Sequence, residues 1–178
     1  MVIAASPQEL SNARDPEPIT VTLTEINEEL IAWLSKHPEY LHKLDPRKFE
    51  ELVAEILRDQ GHTVELTPQT KDQGRDIIAG MRTPLGEMLV IVECKRYAAH
   101  RKVGLSVVER FLHTIRERDR ANMGMVVTTT RFSPDAIKVA DEYRHQLKLK
   151  DQDALCAMAN NYGKWKKHGD SEIWIPAY

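Results

Sequence analysis

The chain has 178 residues, of which 42% are hydrophobic and 29% charged, and its formal net charge is −2. This composition is typical of one folded domain with a sizeable core, and it excludes a fibrous or fully disordered chain. Because the net charge is slightly negative, binding of nucleic acid would have to depend on a local concentration of basic residues.

The cysteines and the hydropathy pattern limit the chemistry and the compartment. Cys94 and Cys156 do not have the spacing of zinc ligands or of a disulfide framework. No apolar run approaches the length of a membrane span, and the start lacks the basic-then-apolar pattern of a signal peptide. The sequence therefore predicts a cytoplasmic protein without membrane association.

The N-terminal part of the chain is predicted to be a flexible leader followed by helices. Residues 1–20 contain three prolines among small and polar residues with no period. A capping-box pattern from Thr22 to Glu25 and apolar residues at helical spacing predict a helix that ends at about Lys36. A short helical turn is predicted at about 40–44, so residues 21–44 form a helical extension.

The most regular helical pattern begins at Asp45-Pro46, where an acidic cap precedes a proline at the first helical position. Apolar residues then recur at helical spacing up to a stop signal at Gly61, namely Phe49, Leu52, Val53, Ile56 and Leu57. Glu50 lies roughly 90° and Glu51 roughly 170° from the centre of this stripe. Glu50 is therefore the better candidate for a site beside the core, the alternative being a solvated carboxylate at its border.

Three strands are predicted after this helix, at 62–66, 75–81 and 88–97, with a polar loop at 67–74. Thr83-Pro84-Leu85-Gly86 has the residue preferences of a type I turn and joins the second strand to the third. Centring this turn between Pro84 and Leu85 places Asp76 directly opposite Glu93. Their carboxylates should therefore converge on one face of the hairpin.

The third strand ends in charged residues where a buried strand would continue with apolar ones. Since strand side chains alternate, Glu93 and Lys95 share one face, whereas Cys94 and Arg96 point to the other. Two carboxylates as close as those of Asp76 and Glu93 repel each other, and a bound cation is the usual remedy.

Hydrolysis of phosphodiesters is a reaction that these residues can serve. Mg²⁺ is held by a few carboxylates, and Asp76 and Glu93 fit that role, with the backbone carbonyl of Cys94 as a candidate third ligand. Mn²⁺ is expected to substitute. Lys95 can orient or help to deprotonate the attacking water. The alternative is a structural ion pair of Lys95 with Glu93 or Asp76.

Basic residues are concentrated just after this strand. They are Lys95, Arg96, Arg101, Lys102, Arg110, Arg116, Arg118 and Arg120. The pattern leaves open whether this face is only solvated or contacts the backbone of a nucleic acid. The candidates for such contacts are Arg96, Arg101 and Lys102.

The second half of the chain alternates helices and strands. A capping box at Ser106–Glu109 predicts a helix to about Arg118, and a strand at 123–130, a helix capped by Ser133-Pro134, a strand at 147–149 and a helix from Asp151 to about Gly163 follow. The tail from Trp165 is either an edge strand or an interaction surface. This order predicts a mixed α/β fold in which a hairpin feeds a partly parallel sheet.

Five segments carry a resemblance to a known family, namely Phe49–Val53, Gly61–Val64, Asp72–Ile77, Val92–Tyr97 and Val126–Phe132. In order and spacing they resemble the Mrr-like restriction endonucleases of the PD-(D/E)xK nuclease superfamily, over about residues 46–155. The resemblance implies a restriction-endonuclease-like αβββαβ core, with a mixed sheet flanked by helices. It implies catalytic roles for Asp76, Glu93 and Lys95, with Glu50 as the acid often added from the helix. Many members carry Gln at the position of Glu93, and the retained acid favours metal binding.

The function expected from this resemblance is Mg²⁺-dependent cleavage of DNA by a homodimeric endonuclease of the restriction or antiviral defence type. Its endonuclease domain would comprise residues 45–163, and a protein partner would bind through the N-terminal extension or the C-terminal tail, residues 164–178. The alternatives are a DNA repair or junction-resolving nuclease, a non-catalytic DNA-binding module, and a protein-interaction module built on the tail.

Overall fold

The computed structural model describes residues 26–68, 74–84, 86–167 and 174–176. Its centre is a five-stranded sheet with the strand order β1-β2-β3-β4-β5. The strands are β1 Thr63–Leu66, β2 Ile77–Thr83, β3 Gly86–Lys95, β4 Met123–Thr128 and β5 Leu147–Lys150. The helices are α1 Glu28–Lys36, α2 Pro46–Asp59, α3 Leu105–His113, α4 Pro134–Glu142 and α5 Gln152–Asn160, with a 3₁₀ helix at Pro38–Lys43 and a π-helical segment at Thr114–Arg118. The predicted mixed α/β fold is confirmed.

The helix starts follow from local capping chemistry. Asp45 accepts the Arg47 N–H at 2.9 Å at the start of α2, as predicted from Asp45-Pro46. At α1 the cap is Asn27, whose side chain accepts the Leu30 N–H at 2.9 Å. The predicted capping box from Thr22 to Glu25 lies outside the described residues, and α1 begins later than that pattern indicated.

The β2–β3 hairpin has the register that the turn predicted. Ile77 pairs with Val92 and Thr83 with Gly86, although β2 begins and ends two residues later than predicted. The ladder ends at the Ile77–Val92 pair, and the Asp76 N–H donates at 2.9 Å to the carbonyl of Val92, the partner of Ile77. Asp76 is thereby held next to the end of β3.

The other half of the sheet is parallel, as predicted. β4 lies parallel to both β3 and β5, so the carboxyl ends of these three strands meet at one edge. Because β2 runs antiparallel to β3, its beginning lies at that same edge. Asp76 and the end of β3 therefore both lie where the parallel strands end.

The core lies on both faces of the sheet. Val90 and Val92 of β3 pack into the cluster formed with α1, α2 and α5, whereas Ile91 packs into the cluster with α3 and α4. This alternation is the one expected for a strand buried on both faces. It places Glu93 and Lys95 on the α3 side of β3 and Cys94 on the α2 side.

The predicted capping box at the start of α3 is wrong. Gly104 is the N-cap, it makes no side-chain capping hydrogen bond, and Ser106 already lies inside the helix. The reason is tertiary, because buried Val103 is bonded through its N–H to the Arg131 carbonyl and through its carbonyl to the Ser133 N–H, both at 2.9 Å. This pairing ends directly before Gly104 and fixes where the helix begins.

The C-terminal tail contains a second, two-stranded sheet. β6 Trp165–Lys167 pairs antiparallel with β7 Trp174–Pro176 and does not join the five-stranded sheet. Of the two possibilities that the sequence left open, these residues thus form strands, which pair with each other and not with the main sheet. Among the helices that the structure describes, none has the length and apolar character needed to cross a membrane.

At Gly124 in β4 the α3 layer lies close against the sheet. A Cβ there would lie 2.8 Å from side-chain atoms of both Ile115 and Phe111. We expect Gly124→Ala to destabilise the protein by about 1–3 kcal/mol through overpacking, measured by urea denaturation. Gly104→Ala is the matched control, since a Cβ there meets nothing within 4 Å. Equal stability of the two variants would contradict this packing.

Candidate active site

Asp76 and Glu93 are buried acidic side chains at the edge where β2 begins and β3 ends. Asp76 is 6% exposed and Glu93 0% exposed. The Asp76 carboxylate crosses the hairpin and accepts the Cys94 N–H through Oδ2 at 2.5 Å. The two acids thus lie at the same edge of the sheet, and the charge of Glu93 contributes to raising the pKa of Asp76.

The surroundings of Asp76 disfavour its negative charge. Burial raises the pKa of Asp76 to about 6, the hydrogen bond from the Cys94 N–H opposes this rise, and the charge of Glu50 adds to it. Weaker effects come from Lys95, which lowers the pKa of Asp76, and from Glu93, which raises it. Three acids from α2, β2 and β3 thus interact electrostatically at one place, including the one that helix phase selected on α2.

Glu93 has two very different carboxylate oxygens. Oε1 lies 2.7 Å from Nζ of Lys95 and 3.3 Å from Nη2 of Arg110. Oε2 is buried and has no hydrogen-bond partner. Leaving a carboxylate oxygen unpaired in a protein interior is costly, and strain, a catalytic role or a bound water or ion can account for such an atom. Glu93 therefore has one oxygen that no protein group contacts by a hydrogen bond.

Lys95 is held at the end of β3 from both sides. Its carbonyl accepts the Thr128 hydroxyl at 2.7 Å, and its ammonium lies against Glu93. Burial lowers the pKa of Lys95, but the charge of Glu93 and its hydrogen bond outweigh this and raise the pKa above the ordinary value. The ion pair that the sequence left open is thus formed, with Glu93 as the partner.

Glu50 is connected to Asp76 through Arg47. The Arg47 guanidinium Nη1 lies 2.8 Å from Oε2 of Glu50 and donates to the Thr67 carbonyl at 2.9 Å. The Thr67 N–H in turn donates to the Asp76 carbonyl at 3.0 Å. This chain of contacts fixes the first turn of α2 against the start of β2.

Cys94 lies between Glu93 and Lys95 in the sequence, but its side chain packs with the α2 side of the core. Burial raises the pKa of the Cys94 thiol well above its ordinary value, and the charges of Asp76 and Glu50 raise it further. The thiol is therefore neutral at physiological pH and is not a metal ligand or nucleophile of the usual kind.

The three basic residues predicted to contact DNA have different environments. Arg96 donates through Nη1 to the His42 carbonyl at 2.8 Å, and its Nε is buried without a partner. Arg101 is exposed and lies over the Tyr97 ring, 4.2 Å from its centroid, and Lys102 is exposed. Arg101 and Lys102 are thus available to a ligand, whereas Arg96 joins β3 to the 3₁₀ helix.

Arg110 is the residue that sequence reasoning missed. It appeared only as one of several basic residues in α3, and no spacing rule connects it with Glu93 across the sheet. The side chain of Arg110 is 63% exposed, so most of its donors remain free for another partner while Nη2 contacts Glu93.

A second feature missed by the sequence is an ion pair beside Asp76. Arg75 Nη1 lies 2.7 Å from Oδ1 of Asp119, which directly follows the π-helical segment. Asp119 is also approached by Arg118 at 3.5 Å. This pair fastens the residue before Asp76 to the end of the α3 layer.

The donor set fits a hard divalent cation with few protein ligands. Within the described ranges no three His, Cys, Asp or Glu side chains are grouped as metal ligands. Mg²⁺ is usually bound through one or two carboxylates and keeps several waters, so two acids suffice. Such an ion would give the unpaired Oε2 of Glu93 a partner and would compensate the negative charge of Asp76 that burial disfavours.

Comparison with known proteins gives one curated relative of substantial coverage. The uncharacterized protein y4cE of Sinorhizobium fredii (strain NBRC 101917 / NGR234) is 30% identical over 161 residues, which are 89% of this chain and 39% of the relative. The chain therefore spans about two-fifths of the length of that protein.

Several solved structures share the fold. The DNA modification-dependent restriction endonuclease AspBHI superimposes with a TM-score of 0.60 at 24% identity, covering 79% of this chain and 37% of its own. The MspJI restriction endonuclease, solved with a 27-mer oligonucleotide, superimposes with a TM-score of 0.54 at 20% identity, covering 75% of this chain and 32% of its own. The restriction endonuclease FokI superimposes with a TM-score of 0.51 at 10% identity, covering 78% of this chain and 31% of its own. At these identities the likeness shows a restriction-endonuclease-like fold.

The family itself is identified by a match to a family model. Residues 41–159 match the Mrr_cat model, whose description is restriction endonuclease. The match covers the five-stranded sheet, α2 to α5 and every acidic and basic side chain of the site described above. The chain therefore belongs to the Mrr_cat family of restriction endonucleases.

Proposed function

We propose that this chain is a Mg²⁺-dependent DNA endonuclease of the restriction or defence type, with Mn²⁺ able to substitute. The observation that carries the proposal is the state of Glu93, whose Oε1 meets Lys95 and Arg110 while its buried Oε2 has no partner. Asp119, which is paired with Arg75, also has a buried oxygen without a partner. Only Glu93, however, shares its edge of the sheet with Asp76, a second buried acid whose negative charge its surroundings disfavour. The family membership makes DNA the expected substrate.

In this proposal Asp76 and Glu93 hold the metal, with the Cys94 carbonyl as a third ligand. Bound Mg²⁺ supplies positive charge against the phosphate and lowers the pKa of the attacking water. Glu50 adds negative charge from α2 that favours cation binding at Asp76.

Lys95 acts in this proposal as a positive charge. Its raised pKa keeps the ammonium protonated, so it orients the water and stabilises charge that develops on the phosphate. Acceptance of a proton from water would first require Lys95 to lose its own, which its pairing with Glu93 opposes. Positioning and electrostatic stabilisation are therefore its proposed roles.

DNA would approach over the basic side chains of the segment that follows β3. Arg101 and Lys102 are exposed there and would contact phosphates, which gives salt-dependent binding with little reading of bases. One such site cuts one strand, so we propose a homodimer for double-strand cleavage. Further partners would bind through the N-terminal extension or the C-terminal tail.

Removal of the metal or of Lys95 should abolish cleavage. We expect the wild type to nick or linearise supercoiled plasmid in Mg²⁺ and not in EDTA, and Lys95→Ala to be slower by about 100-fold or more, because a charge at the reacting phosphate is lost. The measurement is a time course on agarose gels, with methylated and unmethylated plasmid. Wild-type protein that binds DNA but cuts neither plasmid would support a non-catalytic binding module, and selective cutting of branched DNA would support a junction-resolving nuclease.

Arg110 should contribute to turnover from α3. Its exposed guanidinium can bind a phosphate while it stays next to Glu93, so Arg110→Ala should lower the cleavage rate about 10- to 100-fold, the value of one charge-assisted hydrogen bond. Arg110→Lys should recover part of this loss. Arg116→Ala is the matched control, because Arg116 lies over Tyr143 and away from the carboxylates. A normal rate with a lowered melting temperature would assign Arg110 a structural role only.

In the metal-free protein, Asp76 should lower the free energy of unfolding by an amount that depends on pH. Since its pKa is raised from 3.8 to about 6, the folded state holds the proton more tightly, and this group lowers the free energy of unfolding as pH rises between those values. Asp76→Asn should therefore be more stable than the wild type at pH 7.5 in EDTA, by up to about 3 kcal/mol, and the difference should shrink at pH 4.5. Urea denaturation measures it, with exposed Asp141→Asn as control. A difference that does not change with pH would refute a charged, buried Asp76.

A further inference from the structure

Three aromatic rings form a cluster at the junction of α1 and the 3₁₀ helix, which we call the aromatic ledge (Trp33, His37 and Tyr40). The Trp33 and His37 rings are stacked, with centroids 4.4 Å apart and an interplanar angle of 27°. The Tyr40 ring meets Trp33 edge-on at 4.8 Å. The three rings therefore present one continuous aromatic surface.

The local sequence builds this ledge on a fixed support. Trp33 and His37 are four residues apart across the end of α1, and Pro38 then starts the 3₁₀ helix that brings Tyr40 back. Leu34 and Leu41 beside them are each 2% exposed and anchor both elements in the core. The ledge is thus held by packing beneath it.

The ledge is exposed although it is apolar. Trp33 is 43% and Tyr40 40% exposed, and among the side chains whose burial the structure describes, which leaves out those of 165–167 and 174–176, only Ile137 is another large exposed apolar one. Two of these three side chains are therefore adjacent in one cluster. An exposed aromatic group of this kind is a common feature of binding surfaces.

The ledge lies at the same edge of the sheet as the acidic site. Arg96, which directly follows Lys95, donates to the His42 carbonyl at 2.8 Å, and Gln152 after β5 donates to the Pro38 carbonyl at 2.9 Å. Both donors lie just after the carboxyl ends of parallel strands, and both acceptors belong to the 3₁₀ helix. A ligand strand at the carboxylates would therefore continue toward the ledge.

Cations and acids both border the ledge, and the exposed acid Glu29 lies one helical turn before Trp33. Lys43 Nζ lies 4.3 Å from the centroid of the Tyr40 ring, and Lys36 is exposed at the end of α1. The nearby acid Glu39 is 3.5 Å from Nδ1 of His37. Stacking rings bordered by cations are the usual means of binding single-stranded nucleic acid, whose bases stack while its phosphates meet the cations.

We propose that the aromatic ledge stacks an unpaired base of the DNA substrate beside the cleavage site, while Lys36 and Lys43 contact the adjacent phosphates. This inference rests on the proposed function in taking DNA as the ligand. Every base has an aromatic face, so the ledge recognises an unpaired nucleotide and not a sequence. The substrate class is therefore DNA with a locally opened strand next to the scissile phosphate.

The test measures binding without cleavage. Fluorescence anisotropy in EDTA compares a labelled duplex that contains a short unpaired stretch with the same duplex carrying abasic residues in that stretch. The wild type should bind the abasic duplex about tenfold more weakly than the intact one. Trp33→Ala and Tyr40→Ala should each bind the intact duplex about tenfold more weakly than the wild type does. Their affinity for the abasic duplex should equal that of the wild type. Trp33→Phe should restore part of the affinity, and Ile137→Ala should change nothing.

Three outcomes overturn the proposal. The first is equal affinity of the wild type for the intact and the abasic duplex. The second is a loss of affinity in Ile137→Ala as large as that in Trp33→Ala. The third is unchanged DNA binding by a folded Trp33→Ala protein that has become monomeric, which would make a second copy of the chain the ligand of the ledge. A plasmid-cleavage assay separates the two proposals. Base-dependent binding without cleavage would refute only the nuclease, and cleavage without base-dependent binding would refute only the ledge.

Discussion

The antiparallel register of β2 and β3 is the constraint on which the site depends. It places Asp76 where its carboxylate accepts the Cys94 N–H, and it buries Glu93 on the face that α3 covers. A shift by one residue would turn these side chains to opposite faces and separate the acids. The short connection between β2 and β3 thus controls electrostatics at the far end of both strands.

Charge at this edge is incompletely balanced within the described residues. Lys95 and Arg110 both approach one oxygen of Glu93, while the other oxygen is unpaired and Asp76 is disfavoured as an anion. Buried charges that are not fully paired lower stability. A bound cation would neutralise these charges and offset their cost. The proposed metal should therefore also stabilise the folded protein.

The segment after β3 is fastened so that its basic side chains have defined positions. Thr128, Thr129 and Thr130 are buried, and their hydroxyls donate to the carbonyls of Lys95, Tyr97 and Arg101. The Arg96 contact with the 3₁₀ helix adds a connection to the N-terminal extension. The acidic edge, the basic segment and the 3₁₀ helix of the aromatic ledge are thereby connected by hydrogen bonds.

The sequence by itself determined the order of elements and the hairpin register, because helix phase, strand alternation and turn geometry are local rules. The shared site of Asp76 and Glu93 and the choice of Glu50 over Glu51 are predictions from the same rules. Only the tertiary structure decided that α3 starts at Leu105 and that Arg110 reaches Glu93. It also decided that Arg96 binds the His42 carbonyl, which attaches the 3₁₀ helix beside the aromatic ledge to the end of β3. These contacts join elements far apart in the chain, and no local spacing encodes how such elements pack, whereas the rings of the ledge are close in sequence and meet through local geometry.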